Sequence, residues 1–173
     1  GTGKTSIMAA LVKALGELQQ PVVLLAPTGR AAKVLARYAG KAAYTIHKYI
    51  YRQNKLGMEA FSLSENRHRN TLFVVDEASM ISGVRDNPTF GSGLLLDDLI
   101  RYVYSGEGCS ILLLGDDAQL PPVNSDISPA LDEDYLSGYC LDIQSFTLTH
   151  VARQALDRGV LYNATNLGAK VAD

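Results

Sequence analysis

Apolar residues recur along this chain in short unbroken runs, separated by longer stretches with a helical rhythm. Residues 22–26, 72–75 and 111–114 are apolar at every position. Runs so short and so uniformly apolar predict strands covered on both faces rather than strands with one wet side. Residues 6–18, rich in Ala, Leu, Met and Lys, predict a helix ended by Gln20-Pro21. Pro27-Thr28-Gly29 turns the chain into a second helix over 30–38, closed by Gly40, and 94–104 predicts a third. A short helix is expected at 45–51, a polar and irregular surface excursion at 54–70, and a mobile loop at 83–93. After the third run come Gly115-Asp116-Asp117 and Pro121-Pro122, then a helical segment over 126–135 and two short strands at 140–143 and 145–148. Strands alternating with helices predict an α/β domain with a parallel sheet flanked by helices.

In such sheets ligands sit beyond the carboxyl ends of the strands. The polar clusters of this chain fall there repeatedly. Thr28-Gly29-Arg30 follows the first run, Asp76-Glu77 the second and Gly115-Asp116 the third. That recurrence predicts one shared site.

Three groups of residues carry chemistry. Gly1-Thr2-Gly3-Lys4-Thr5, followed by Ser6 and a helix, has the form of a phosphate loop. Its glycines let main-chain N–H groups approach an anion without a Cβ in the way, and the helix start faces the same charge. Lys4 would hold the β- and γ-phosphates of ATP, and the Thr5 hydroxyl would ligate Mg²⁺. Asp76 and Glu77 close a buried strand; Asp76 suits Mg²⁺ and Glu77 suits the proton of an attacking water. Gln119, just after the third strand, can bond a γ-phosphate or orient that water. Arg153 could bring a positive charge to the same phosphate. Each group has a bland alternative: a glycine-rich turn, two solvated acids, a proline-rich turn, a surface arginine. The combination of loop and strand-end carboxylates favours a nucleotide site.

Composition narrows this only a little. The chain has 173 residues, the size of one domain, with 47% hydrophobic and 20% charged residues. The net charge of −2 gives no bulk attraction to nucleic acid, so any such surface must come from local placement of Lys and Arg. Cys109 and Cys140 show no metal-ligand spacing and read as two buried thiols in a reducing, cytoplasmic setting. No apolar run approaches a membrane span.

Taken in order, GTGKT, APTGRAAKVL (26–35), TIHKYI (45–50), VVDEASMIS (74–82), LLLGDDAQLPPV (112–123) and LTHVARQ (148–154) resemble the motifs of superfamily 1 helicases, most closely the RecD-like branch. The resemblance implies a P-loop NTPase with a RecA-like sheet over 1–154, and a tail at 155–173 leading toward a second RecA-like domain. It implies ATP and Mg²⁺ as cofactors and single-stranded DNA as partner, with movement 5′ to 3′. Gly1, Thr2, Gly3, Lys4, Thr5 and Ser6 match the nucleotide loop. Asp76 and Glu77 match the metal and base pair, Gln119 the γ-phosphate sensor, and Arg153 the arginine that reaches the γ-phosphate. Pro27, Thr28, Gly29 and Arg30 match a segment that touches the DNA backbone, and Thr45 and His47 the next one. Small hydroxyls and helix-start N–H groups suit phosphate contact without base readout. For His47 a capping or core role is the alternative. A phosphate loop ordinarily follows a central strand, which would lie upstream of Gly1, so the chain is expected to be a fragment unable to unwind DNA alone. Residues 83–93 give the Asp-Glu motif an unusually loose continuation. Another P-loop ATPase and a non-catalytic DNA-binding fragment are the competing readings.

Overall fold

The computed structural model describes residues 4–53, 61–85, 89–116, 122 and 127–148. Helix α1 (Lys4–Glu17) leads into strand β1 (Val22–Ala26), then helix α2 (Gly29–Ala39), strand β2 (Ala43–Thr45), helix α3 (Ile46–Ile50) and strand β3 (Tyr51–Gln53). Strands β4 (Phe61–Leu63) and β5 (Leu72–Val75), helix α4 (Leu95–Tyr104), strand β6 (Ser110–Leu113) and helix α5 (Glu133–Ser137) follow. The main sheet has the order β2-β1-β5-β6 and all its pairings are parallel. The pattern predicts this parallel α/β sheet, and the resemblance implies its P-loop, RecA-like form.

The unbroken apolar runs are explained by what covers them. On β1 and β5 successive side chains point to opposite faces. Leu25, Phe73 and Val75 join a core with Ile46, Ile50, Leu96, Leu99 and Val103 of α3 and α4. Their neighbours Val22, Leu24, Ala26 and Val74 join a second core with Met8, Val12, Ala32 and Leu35 of α1 and α2. Phe73, Leu24 and Leu25 are fully buried. Side chains of this kind each stabilise the fold by about 1.5–3 kcal/mol.

Helix boundaries follow local chemistry. Thr28 sits in extended backbone and its hydroxyl accepts from the Ala31 N–H at 3.2 Å, capping α2, and Gly40 ends the helix at φ 62°. Thr45 caps α3 in the same way, accepting from the Lys48 N–H at 3.3 Å.

Several expectations need correction. Residues 141–148 form no strand; they are largely exposed, and Phe146 is 86% exposed. Residues 126–135 were expected to be helical throughout, yet Pro129–Leu131 is a 3₁₀ turn and a separate helix starts only after Asp132, which caps it. The 54–70 excursion is partly regular: β4 pairs antiparallel with β3, and Asn66 is buried, donating to the Tyr102 and Val103 carbonyls at 3.0 Å each. Those bonds add to the Ser105 hydroxyl and the Gly106 N–H, which donate to the same two carbonyls at the end of α4. Cys109 is buried as expected, but Cys140 is exposed.

Candidate nucleotide and nucleic-acid site

The parallel register brings the polar clusters to one edge of the sheet. Leu25 pairs with Val75, Val75 with Leu113 and Ala26 with Thr45, so the residues that follow each strand emerge side by side. The chain after β5 is then stitched to both neighbours. Asp76 donates its N–H to the Leu25 carbonyl at 3.0 Å, Leu114 to Val75 at 2.8 Å, and Ala78 to Leu114 at 2.8 Å.

Lys4, at the start of α1, points into this edge. Its Nζ lies 3.4 Å from Asp76 Oδ1 and 3.4 Å from Glu77 Oε1. The Asp76 contact is an ion pair by distance but not a hydrogen bond by geometry, so the buried Oδ1 keeps its acceptor capacity. A lysine ammonium has three donors. Its charge lies between the two carboxylates, and its donors can meet a phosphate oxygen. Glu77 is less enclosed and is held at φ 55° and ψ 36°, a left-handed conformation costly for a residue with a Cβ. Such conformations persist where the surrounding bonds over-determine them, often at reactive sites. Here the Asp76 and Ala78 N–H bonds do so from either side.

Two features around these carboxylates were not visible in the motif. A Cβ on Gly115 would lie 2.5 Å from Leu131 Cδ1 and 3.0 Å from the Ser79 backbone nitrogen, so this glycine permits the close approach of the two strand-end segments. Ser79 itself is 1% exposed, and its hydroxyl has no partner among the described residues. The Gly-Asp-Asp turn could have signalled the first; nothing in the sequence signals the second.

Hard cations of the magnesium type are held by one or two carboxylates plus substrate phosphates and water. The buried Asp76 Oδ1, with acceptor capacity to spare beside a second carboxylate, fits that demand. Among the described residues no larger His, Cys, Asp or Glu cluster exists that would suit an all-protein metal cage.

The expected nucleic-acid residues fall into two patches on the same edge. Pro27 and Thr28 are half-buried, while Gly29 and Arg30 are exposed at the start of α2. Thr45 and His47 begin α3. The hydroxyls of Thr28 and Thr45 accept their capping bonds but each keeps an O–H to donate. His47 packs edge-on to Phe90, with ring centroids 5.2 Å apart, and tilts against Tyr51 at 5.8 Å. Phe90 belongs to the 83–93 loop, expected to be mobile, whose described 89–93 end is instead anchored. Buried Asp98 accepts from the Tyr51 hydroxyl at 2.7 Å and from the Ser92 N–H at 2.9 Å. Gly1, Thr2, Gly3, Gln119 and Arg153, the Thr5 side chain, and the 155–173 tail lie outside the described residues.

The profile of the AAA domain family matches residues 1–166. The chain belongs to the AAA domain family. Within it, the order of motifs groups the chain with RecD-like superfamily 1 motor domains. It is 30% identical to the ATP-dependent RecD2 DNA helicase of Deinococcus radiodurans over 96% of its own length and 20% of that protein's. It is also 30% identical to the ATP-dependent DNA helicase dda of Enterobacteria phage T4, over 88% of this chain and 33% of the relative. A solved structure of Pif1 helicases at forked dsDNA is 22% identical, with a TM-score of 0.46 over 80% of this chain and 32% of that one. The chain therefore spans a third or less of the length of these relatives. Among the described residues no helix is long and apolar enough to cross a membrane.

Proposed function

We propose that this chain is the nucleotide-binding motor domain, over 1–154, of an ATP-dependent DNA helicase that moves 5′ to 3′ along single-stranded DNA. The observation that carries the reading is Lys4 at 3.4 Å from both strand-end carboxylates. A cation, a buried acid and a half-exposed acid converge where the sheet delivers them. Lys4 binds the β- and γ-phosphates, assisted by the backbone of Gly1–Gly3. Asp76, with Thr5, holds Mg²⁺, and the ion when bound offsets phosphate charge. Glu77 accepts a proton from the attacking water as that water displaces the leaving ADP. Gln119 orients the water and Arg153 offsets charge on the transferring phosphoryl group. Pro27–Arg30, Thr45 and His47 contact the DNA backbone.

Coupling hydrolysis to movement needs a second RecA-like domain that closes on the nucleotide, so the isolated chain is expected not to unwind DNA. The decisive measurement is phosphate release with and without oligo-dT. Strong stimulation by DNA supports the motor. DNA-independent turnover points to another P-loop ATPase, and DNA binding without turnover, indifferent to Lys4→Ala and Glu77→Gln, to a non-catalytic fragment. General-base catalysis contributes about 10²–10⁴-fold, so Glu77→Gln should lower turnover by that order while nucleotide still binds. Steady unwinding of a tailed duplex by the chain alone would refute the need for a second domain.

A further inference from the structure

The −2 net charge conceals a segregation. From Leu18 to Met58 the sequence holds seven Lys and Arg and no Asp or Glu, whereas the remainder holds nine Lys and Arg against 18 acids. The fold turns part of that stretch into a surface. Arg30, Lys33 and Arg37 are all exposed on the side of α2 opposite its buried Ala32 and Leu35. Past the helix, Lys41 and Arg37 face Lys13 of α1 across an open groove of about 660 Å³, with Tyr38 on its wall. Tyr38 is 53% exposed. Among the described residues Lys4, Arg67 and Arg69 make ion pairs, while none of the cations of this row does.

Unpaired like charges at helical spacing destabilise a helix. Here they form a line: Arg30 to Arg37 spans about 10.5 Å along the axis, and the groove extends it. A line of cations with no acidic side chain interleaved complements a polyanion. An exposed tyrosine beside it offers a face on which a base can stack, which favours a single strand over a compact anion. The line starts at the Thr28–Arg30 turn and leads away from the nucleotide edge.

We propose that the outer face of α2 and the α1–α2 groove form a second nucleic-acid contact, which holds the sugar–phosphate backbone of a single strand after it leaves the Thr28–Arg30 turn. Lys13, Arg37 and Lys41 bind phosphates without reading sequence, and Tyr38 stacks. The path of the strand rests on the DNA reading of that turn.

The test is binding of labelled oligo-dT to the chain without ATP, by fluorescence anisotropy across a salt series. Three lost phosphate contacts on a single strand should reduce the slope of log affinity against log salt by about 2, and weaken binding roughly a hundredfold near 0.1 M salt, with the difference closing near 1 M. That is the result expected for Lys13→Ala/Arg37→Ala/Lys41→Ala. Arg67→Ala/Arg69→Ala, which removes paired charges elsewhere, should leave the slope unchanged, and Arg37→Lys should retain binding. An unchanged slope in the triple variant, with Thr28→Ala/Arg30→Ala still weakening binding, overturns this proposal alone. If neither variant weakens binding, the DNA reading of the turn fails with it. If the triple variant loses poly-glutamate but keeps oligo-dT, the groove serves an acidic protein segment and the nucleic-acid assignment is wrong.

Discussion

Gly115→Ala tests whether close packing of the strand ends shapes the catalytic edge. The added methyl would meet a Leu131 methyl at 2.5 Å and the Ser79 backbone nitrogen at 3.0 Å. Ordinary carbon contacts begin near 3.5 Å. The leucine can swing aside; the backbone nitrogen can yield only by moving the turn that starts at Ala78. Overpacking of this kind costs about 1–3 kcal/mol. Part of that belongs to Leu131, so a double-mutant cycle divides it. Leu131→Ala alone removes a half-buried side chain and should cost about 2 kcal/mol. Combined with Gly115→Ala, the total should fall short of the sum by about 1 kcal/mol, because the first clash has been removed. The remainder is the Ser79 contact, and it should appear as lost ATP turnover, since Ala78 bonds Leu114 beside it. Urea unfolding supplies the stabilities and phosphate release the activity. Additive stabilities, or full turnover in Gly115→Ala, would sink the argument.

Further outcomes are expected elsewhere. Asp98→Ala leaves the Tyr51 hydroxyl and the Ser92 N–H without their acceptor, and hydrogen bonds to a charged group are worth about 1.5–3 kcal/mol each; urea unfolding should show a loss at the upper end of that range, with Tyr51→Phe losing about half. Thr28→Ala removes the α2 cap and should cost about 1 kcal/mol, with Thr28→Asn close to wild type; equal losses in a thermal melt would contradict the capping role. Burial, then the nearby Tyr49 and Cys109, pushes the Tyr102 hydroxyl up to about 12 from 10.0. A raised folded value means this contribution is complete below pH 10 and is lost as pH rises toward 12. The urea midpoint should therefore fall across that window, less steeply in Tyr102→Phe, and identical slopes would dismiss the effect.

What the chain disclosed in advance followed from periodicity and burial. Residues 22–26, 72–75 and 111–114 read as strands because each is sandwiched and needs no polar face. The segment 43–45 could not be read that way. It is a three-residue edge strand that exists through pairing with β1, a tertiary contact that local sequence does not encode. The reverse error came at 140–148, where strand-like residues find no strand to pair with and Phe146 stands in solvent. At the site, Lys4, Asp76 and Glu77 were legible because motif chemistry names residue types. The left-handed backbone of Glu77 was not, since most left-handed positions announce themselves by glycine or asparagine. The anchoring of residues 89–93 was equally hidden, because Asp98 sits in the first turn of α4, where an acid ordinarily faces water.

The in-register parallel sheet has a consequence for engineering. The catalytic carboxylates and the Thr28–Arg30 and Thr45–His47 segments gather at one end of the sheet, while the 18–20 turn, with Gln19 at φ 55°, lies at the other. A reporter peptide spliced into that turn should leave the reactive edge undisturbed. One extra residue inside Leu72–Val75 should do the opposite. Strand side chains alternate with a period of two, so a single insertion exchanges the two hydrophobic layers and turns Asp76 and Glu77 to the wrong sides. The domain thus has one end where length can vary and another where the count of residues is itself part of the active geometry.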